Sequence, residues 1–112
     1  MDIEAIGEVI AERTLCLSAQ NAADQDVVVR IGKPQRFSDE PDDYYVPYEI
    51  VGSEGTKLFY AAGVDAIQAL QLVMRMIGAD LLALCRDRNC TIKWIGGEDG
   101  DLGFPIAGEA AE

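Results

Sequence analysis

Two periodicities divide the chain. Up to about residue 62 apolar and polar positions alternate, and from 64 to 88 apolar residues recur every three to four positions. The second stretch, VDAIQALQLVMRMIGADLLALCRDR, predicts one long helix. Asp65 suits its N-cap, and Gln68, three residues on, completes a D-x-x-Q capping box. Gly63 permits the sharp entry. Asn89 suits a left-handed C-cap, and Arg86 and Arg88 suit the negative end of the helix dipole. Ile67, Leu70, Met74, Ile77, Leu81 and Leu84 form one stripe, expected to face the core. Leu72, Val73, Met76, Ala79 and Ala83 form a second apolar set off that stripe. A chain of 112 residues makes a single domain, too small to cover such a helix from both sides. The second set is therefore expected either to lie under a terminal segment or to make a homodimer contact. Gly78, mid-helix, predicts a close backbone approach. Asp65, Arg75 and Asp80 interrupt the apolar run, which argues against a membrane span.

Alternation elsewhere predicts strands. In VIAERTLCLSA, Leu15 and Leu17 share a face with Val9 and Ala11, and Glu12, Thr14, Cys16 and Ser18 share the other. That is the pattern of a sheet with one wet face. A second strand follows the QNAADQ turn and runs through residues 26–37, ended or placed at an edge by Pro34. YYVPYEIV is a third, with Tyr44, Val46, Tyr48 and Ile50 on one face. The loop GSEG returns it to a fourth, TKLFYAA, and CTIKWIGG after the helix reads as a fifth. A parallel pairing of the fifth with the fourth would require a right-handed crossover. The expected fold is α+β, with a mostly antiparallel sheet of four to five strands and one long helix packed across one face. Residues 1–112 form one domain, with 1–7 a lead segment and 107–112 a tail, both expected to be poorly ordered. Leu102, Phe104, Pro105 and Ile106 are expected to anchor that tail.

Twenty acidic residues against nine basic ones give a formal net charge of −11 and a pI near 4.2. This charge excludes nucleic acid and an anionic membrane surface as partners, because both need a basic footprint. It favours encounter with basic proteins. The chain is 49% hydrophobic, too apolar for a disordered acidic polymer. Cys16, Cys85 and Cys90 are odd in number, and MDIEAIGEVIAER has no basic start followed by an apolar run. Both features point to a cytoplasmic protein with reduced thiols and no signal peptide.

The chemistry that the sequence lacks is equally informative. It contains no histidine, which removes Ser-His-Asp and Cys-His nucleophile pairs and every His-ligated metal site. It has no C-x-x-C, no G-x-G-x-x-G and no P-loop lysine. The acidic clusters at 38–43 and 98–101 lack the spacing of a calcium-binding loop. The expectation is a protein that is not an enzyme, with no catalytic residue, cofactor or metal. Tyr44, Tyr45 and Tyr48 beside Asp42 and Asp43 form the candidate partner-binding set, since tyrosine joins an apolar ring to a polar tip. Leu72, Val73, Met76, Ala79 and Ala83 form the candidate dimer contact. The leading reading is a protein-binding module, monomeric or homodimeric. The alternatives are an immunity- or antitoxin-like inhibitor of a basic toxin or nuclease, and a small-ligand-binding protein or carboxylate enzyme.

Several pieces carry a family resemblance: ERTL at 12–15, RIGKPQ at 30–35, DYYVPYEI at 43–50, AAGVDAIQALQLVMRMIGADL at 61–81, WIGG at 94–97 and DLGFP at 101–105. In their order the chain resembles a bacterial family of small proteins known only as a domain of unknown function. The resemblance implies a bacterial, cytoplasmic, single-domain protein and assigns no catalytic residue.

Overall fold

A computed structural model describes residues 3–40 and 42–106. The elements are β1 (Val9–Ala19), β2 (Gln25–Gly32), β3 (Gln35–Arg36), β4 (Tyr44–Gly52), β5 (Gly55–Gly63), α1 (Ala66–Arg88) and β6 (Cys90–Trp94). The fold is α+β, with a helix packed on one face of an antiparallel sheet. Pro34 splits what alternation reads as one second strand. Proline has no N–H to give a ladder, so β2 stops at Gly32 and β3 resumes for two residues beyond the break. Both lie on the same edge of β4, β2 opposite residues 48–51 and β3 opposite Tyr44 and Tyr45. The sheet therefore runs β5-β4-β2-β1-β6, with β3 extending β2.

The first four long strands form the expected meander. β6 adds at the far edge, antiparallel to β1, with Leu15 opposite Trp94 and Leu17 opposite Ile92. No parallel pairing with β5 arises. α1 leaves β5 at one edge and delivers the chain to β6 at the other, so it crosses the sheet diagonally. At ~1.5 Å per residue its 23 residues span ~35 Å, ample for five strands spaced ~4.8 Å apart.

The caps follow from the residues read at them. The Asp65 carboxylate accepts from the Gln68 N–H at 2.7 Å, and the Gln68 side chain accepts from the Val64 N–H at 2.8 Å. Asn89 adopts the left-handed conformation (φ 50°) and its N–H bonds the Cys85 carbonyl. By length and composition α1 could cross a membrane, yet here it lies on the sheet, with 28% of its most apolar 18 residues buried.

The core-facing side of α1 differs from the expected stripe. The buried helix residues are Ala69, Val73, Ile77, Gly78 and Leu81. Leu70, Met74 and Leu84 are half-buried at the margins, and Ile67 is 68% exposed. Val73, expected on the outward set, lies wholly inside and cannot contribute to a dimer contact. The reason is the tight entry. A Cβ on Gly63 would lie 2.7 Å from the Ala69 nitrogen, so the helix rolls its smallest apolar residue towards β5 and turns Ile67 out. Opposite these residues the sheet contributes Leu15, Leu17, Val27, Val29, Ile31, Val46, Tyr48 and Ile50, and β6 adds Ile92. Burying a side chain of this size contributes about 1.5–3 kcal/mol.

A diagonal helix leaves two corners of the inner sheet face uncovered. The tail fills the corner over β1 and β2. Leu102 is buried there and Phe104 packs at its side. The tail crosses the helix at Gly78, where a Cβ would collide with the Pro105 carbonyl oxygen. The approach predicted at Gly78 is thus made by the tail. The lead segment is equally tied down, on the opposite sheet face. A Cβ on Gly32 would come within 2.7 Å of both the Ile6 carbonyl and the Pro47 ring. The expected poorly ordered tail, 107–112, and the first two residues of the lead segment lie outside the described residues.

Candidate functional site

Among the described residues no helix or strand covers the sheet face turned away from α1, and the lead segment touches it beside Gly32 and Pro47. Across its centre Glu12, Arg30 and Glu49 sit side by side on β1, β2 and β4. Arg30 donates through Nε to Glu12 at 2.6 Å and through an Nη to Glu49 at 3.2 Å. These two bonds, the Glu12 bond foremost, raise the Arg30 guanidinium above its ordinary pKa. The ladder ties three strands on a wet face where no apolar layer does so.

Toward the β5 edge the same face becomes aromatic. Ser53 and Glu54 form a two-residue turn between Gly52 and Gly55, and this fixes the register of the whole hairpin. Tyr45 falls opposite Ala62, and Pro47 opposite Tyr60. Tyr45 and Tyr60 therefore lie one pleat apart on neighbouring strands, and Phe37 closes over both. Ring centroids are 5.1 Å apart for Phe37–Tyr45, 5.9 Å for Tyr45–Tyr60 and 6.3 Å for Phe37–Tyr60, all tilted or edge-on. The loop entering β4 turns through bonds from the Asp43 N–H to the Glu40 carbonyl and from the Phe37 N–H to the Asp43 carbonyl. Asp39, Glu40 and Asp42 on this loop are exposed beside the rings.

The predicted partner set is divided by this geometry. Tyr45 belongs to the aromatic face, and Asp42, exposed, and Asp43, half-buried, stand on the loop that enters β4. Tyr44 points to the helix side, packs on the core and receives a hydrogen bond from Arg36 Nε at 2.9 Å. Tyr48 is wholly buried and leaves the set, because alternation from Tyr44 carries it onto the inner face. Its hydroxyl donates to the Asp80 carboxylate on α1, whose other oxygen accepts from Lys57 Nζ at 2.8 Å. Burial, with the Asp80 hydrogen bond added to it, raises the Tyr48 pKa far above its ordinary value. Phe37 and Tyr60 were not singled out in the sequence, although the turn at 53–54 already implied the pairing that places Tyr60.

The second corner of the inner face is left open by the described residues. Between the C-terminal half of α1 and the β4–β5 hairpin lies a groove of about 350 Å³, floored by Leu17, Val27, Ile50 and Leu84. Charged residues stand on its rim, Lys57 paired with Asp80 and Arg88 with Glu54. Asp80 also defines which flank of α1 faces β5. On that flank follow Met76, Leu72, Ala79 and Ala83, of which Leu72 is 39% exposed. Phe59, on the same side of β5, is 44% exposed.

At the opposite corner Arg13 stacks on Trp94 and Phe104, its guanidinium 4.8 and 5.2 Å from the ring centroids, and bonds the Gly103 carbonyl at 2.6 Å. This arginine is structural, since it holds the tail. The three cysteines are free thiols. Burial pushes the Cys85 thiol up, and Cys90 beside it adds to the shift, the reverse of what a nucleophile needs. Among the described residues no three Cys, Asp or Glu side chains are arranged to hold a metal ion.

A family model described as a domain of unknown function, DUF6968, matches residues 11–106. The chain belongs to the DUF6968 family. The DUF6968 match takes in nearly all of β1, every later strand, the helix and the tail that crosses Gly78, so both sheet faces and both corners fall within it. No curated protein and no solved structure matches the chain.

Proposed function

We propose that this DUF6968 chain is a non-catalytic protein-binding module that takes a partner with a basic surface. The observation that carries the reading is the Phe37–Tyr45–Tyr60 ring cluster on a sheet face that no helix or strand covers among the described residues, next to a loop with exposed Asp39, Glu40 and Asp42. Aromatic rings supply contact area at low entropic cost, and the surrounding carboxylates steer a basic protein towards them. The net charge of −11 extends that steering over the whole molecule. A basic toxin or nuclease, with this chain as its inhibitor, is the partner class that fits best. The absence of histidine and the raised Cys85 thiol support the non-catalytic part of the reading. The free thiols support a cytoplasmic setting.

The test is quantitative affinity capture on the immobilised chain. A basic protein should be retained by the native sequence. It should be lost with Tyr45→Ser/Tyr60→Ser, and lost with Asp39→Asn/Glu40→Gln/Asp42→Asn. It should also elute as salt approaches ~1 M, where screening shortens to ~3 Å. Equal capture by all three proteins would refute the assignment of this face.

The groove beside Lys57 and Asp80 favours a second reading, a small amphipathic ligand. About 350 Å³ falls within the ~300–1,000 Å³ of ligand pockets, and an apolar floor under a charged rim is their usual chemistry. Native mass spectrometry of protein purified from its own host decides it. A stoichiometric small-molecule adduct supports the ligand reading, and a bare chain counts against it.

A further inference from the structure

The two edges of the sheet are treated differently. β6 is five residues long, and its own exit loop bonds it, the Trp94 N–H donating to the Asp101 carbonyl. β5 is nine residues long and, among the described residues, pairs with β4 alone. It holds no proline, and its single charge, Lys57, is engaged by Asp80. These are the features that keep a sheet edge from pairing, and β5 lacks nearly all of them. The apolar flank of α1, with Leu72 and Met76, continues the surface of Phe59 beside that open edge.

We propose that two copies of this chain join through β5, antiparallel about a two-fold axis, and that the α1 flanks carrying Leu72, Met76, Ala79 and Ala83 close over the joint. Charge selects a second copy as the occupant. Each copy carries −11, so most faces repel, but residues 55–63 contain no carboxylate, and on the adjoining helix flank Asp80 is paired with Lys57 while Asp87 stands beyond Ala83 at the C-terminal end of the helix. A basic partner would gain nothing on this edge and much at the acidic loop. An isologous pair needs only that one patch be self-complementary, and an antiparallel strand edge is so by construction. Such a pair makes one continuous ten-stranded sheet from the two five-strand arrays and unites their outer faces. The two Phe37–Tyr45–Tyr60 clusters then flank the two-fold axis on one surface. The dimer stands on its own observations, and its measurement needs no partner, so it can fail without the basic-partner reading failing.

The experiment is sedimentation velocity of the full chain over a concentration series, with hydrogen exchange at the β5 amides. The native protein should sediment at twice the chain mass of 12.1 kDa, with β5 amides protected despite their edge position. Phe59→Glu and, separately, Leu72→Glu should each weaken association at least tenfold and expose those amides. Ile67→Glu, on the other flank of the helix, should leave both unchanged. If Phe59→Glu loses its far-ultraviolet circular dichroism, Leu72→Glu decides alone. A native protein of single-chain mass at every concentration overturns the proposal, as does a dimer indifferent to both variants. A single-chain species that instead sediments with phosphatidylcholine vesicles overturns it too, and assigns the apolar flank to a lipid surface.

Discussion

The hydroxyl of Tyr48 on β4 donates to the carboxylate of Asp80 on α1, and this bond ties the helix, already rolled by its tight entry at Gly63, to the sheet. Tyr48 is the largest fully buried side chain, and its polar tip has its partner at the boundary of the core. Tyr48→Phe keeps the ring and removes the donor. A hydrogen bond to a charged group contributes about 1.5–3 kcal/mol, and that loss is expected at neutral pH by denaturant unfolding. The pH dependence has a definite sign. The folded-state pKa is raised from 10.0, so the unfolded chain loses the proton first. Native stability from this group is complete below about pH 10 and falls as pH rises through the window above it. Tyr48→Phe should therefore show a shallower alkaline decline. Parallel pH curves for the two proteins would contradict the assignment.

Gly78 gives a second prediction, with two opposing terms. Alanine in place of a helix glycine ordinarily gains about 1 kcal/mol. Here its Cβ would meet the backbone carbonyl of Pro105, which cannot rotate aside as a side chain would. Gly78→Ala is expected to displace the tail, lower the melting temperature and shift Trp94 emission to the red as Phe104 and Leu102 lift. A higher melting temperature would mean that the tail does not cross there.

Arg13 holds the same tail from the sheet side. Arg13→Lys retains the charge but loses the planar stack between Trp94 and Phe104. The expected cost is about 1 kcal/mol from the cation–π contacts, with a change in Trp94 fluorescence and none in secondary structure. Identical fluorescence in both proteins would argue that the stack is not maintained in solution.

The helix faces can be separated by truncation. Ile77→Ala and Leu81→Ala, at fully buried positions, should each cost about 2–5 kcal/mol. Ile67→Ala, at a site 68% exposed, should stay within about 0.5 kcal/mol. Equal costs at Ile67 and Ile77 would mean that the helix sits rolled from the position described.

Much of the local structure was legible in the chain. The alternation in VIAERTLCLSA and YYVPYEIV, the break at Pro34, the hairpin loop at 52–55, and the Asp65 and Asn89 caps each follow from interactions within a few residues. The α+β class follows too, because four alternating stretches and one helical stretch have few other ways to bury their apolar faces. The candidate site was legible in part. Tyr45, Asp42 and Asp43 were named as candidates, but Tyr48 was grouped with them although its own alternation turns it inward.

Sequence alone therefore determined the elements, their ends and the side of each strand that is apolar, since backbone sterics and side-chain period act locally. Only the tertiary structure decided how α1 is rolled, that β6 joins β1, that the tail crosses Gly78, and that Phe37, Tyr45 and Tyr60 meet. Each of these depends on the approach of groups distant in the chain, such as Tyr48 against Asp80 beneath the helix and Pro105 against Gly78 at its crossing. An apolar helix with near-uniform sides has several faces of similar hydrophobicity, and steric fit, which period does not encode, selects among them.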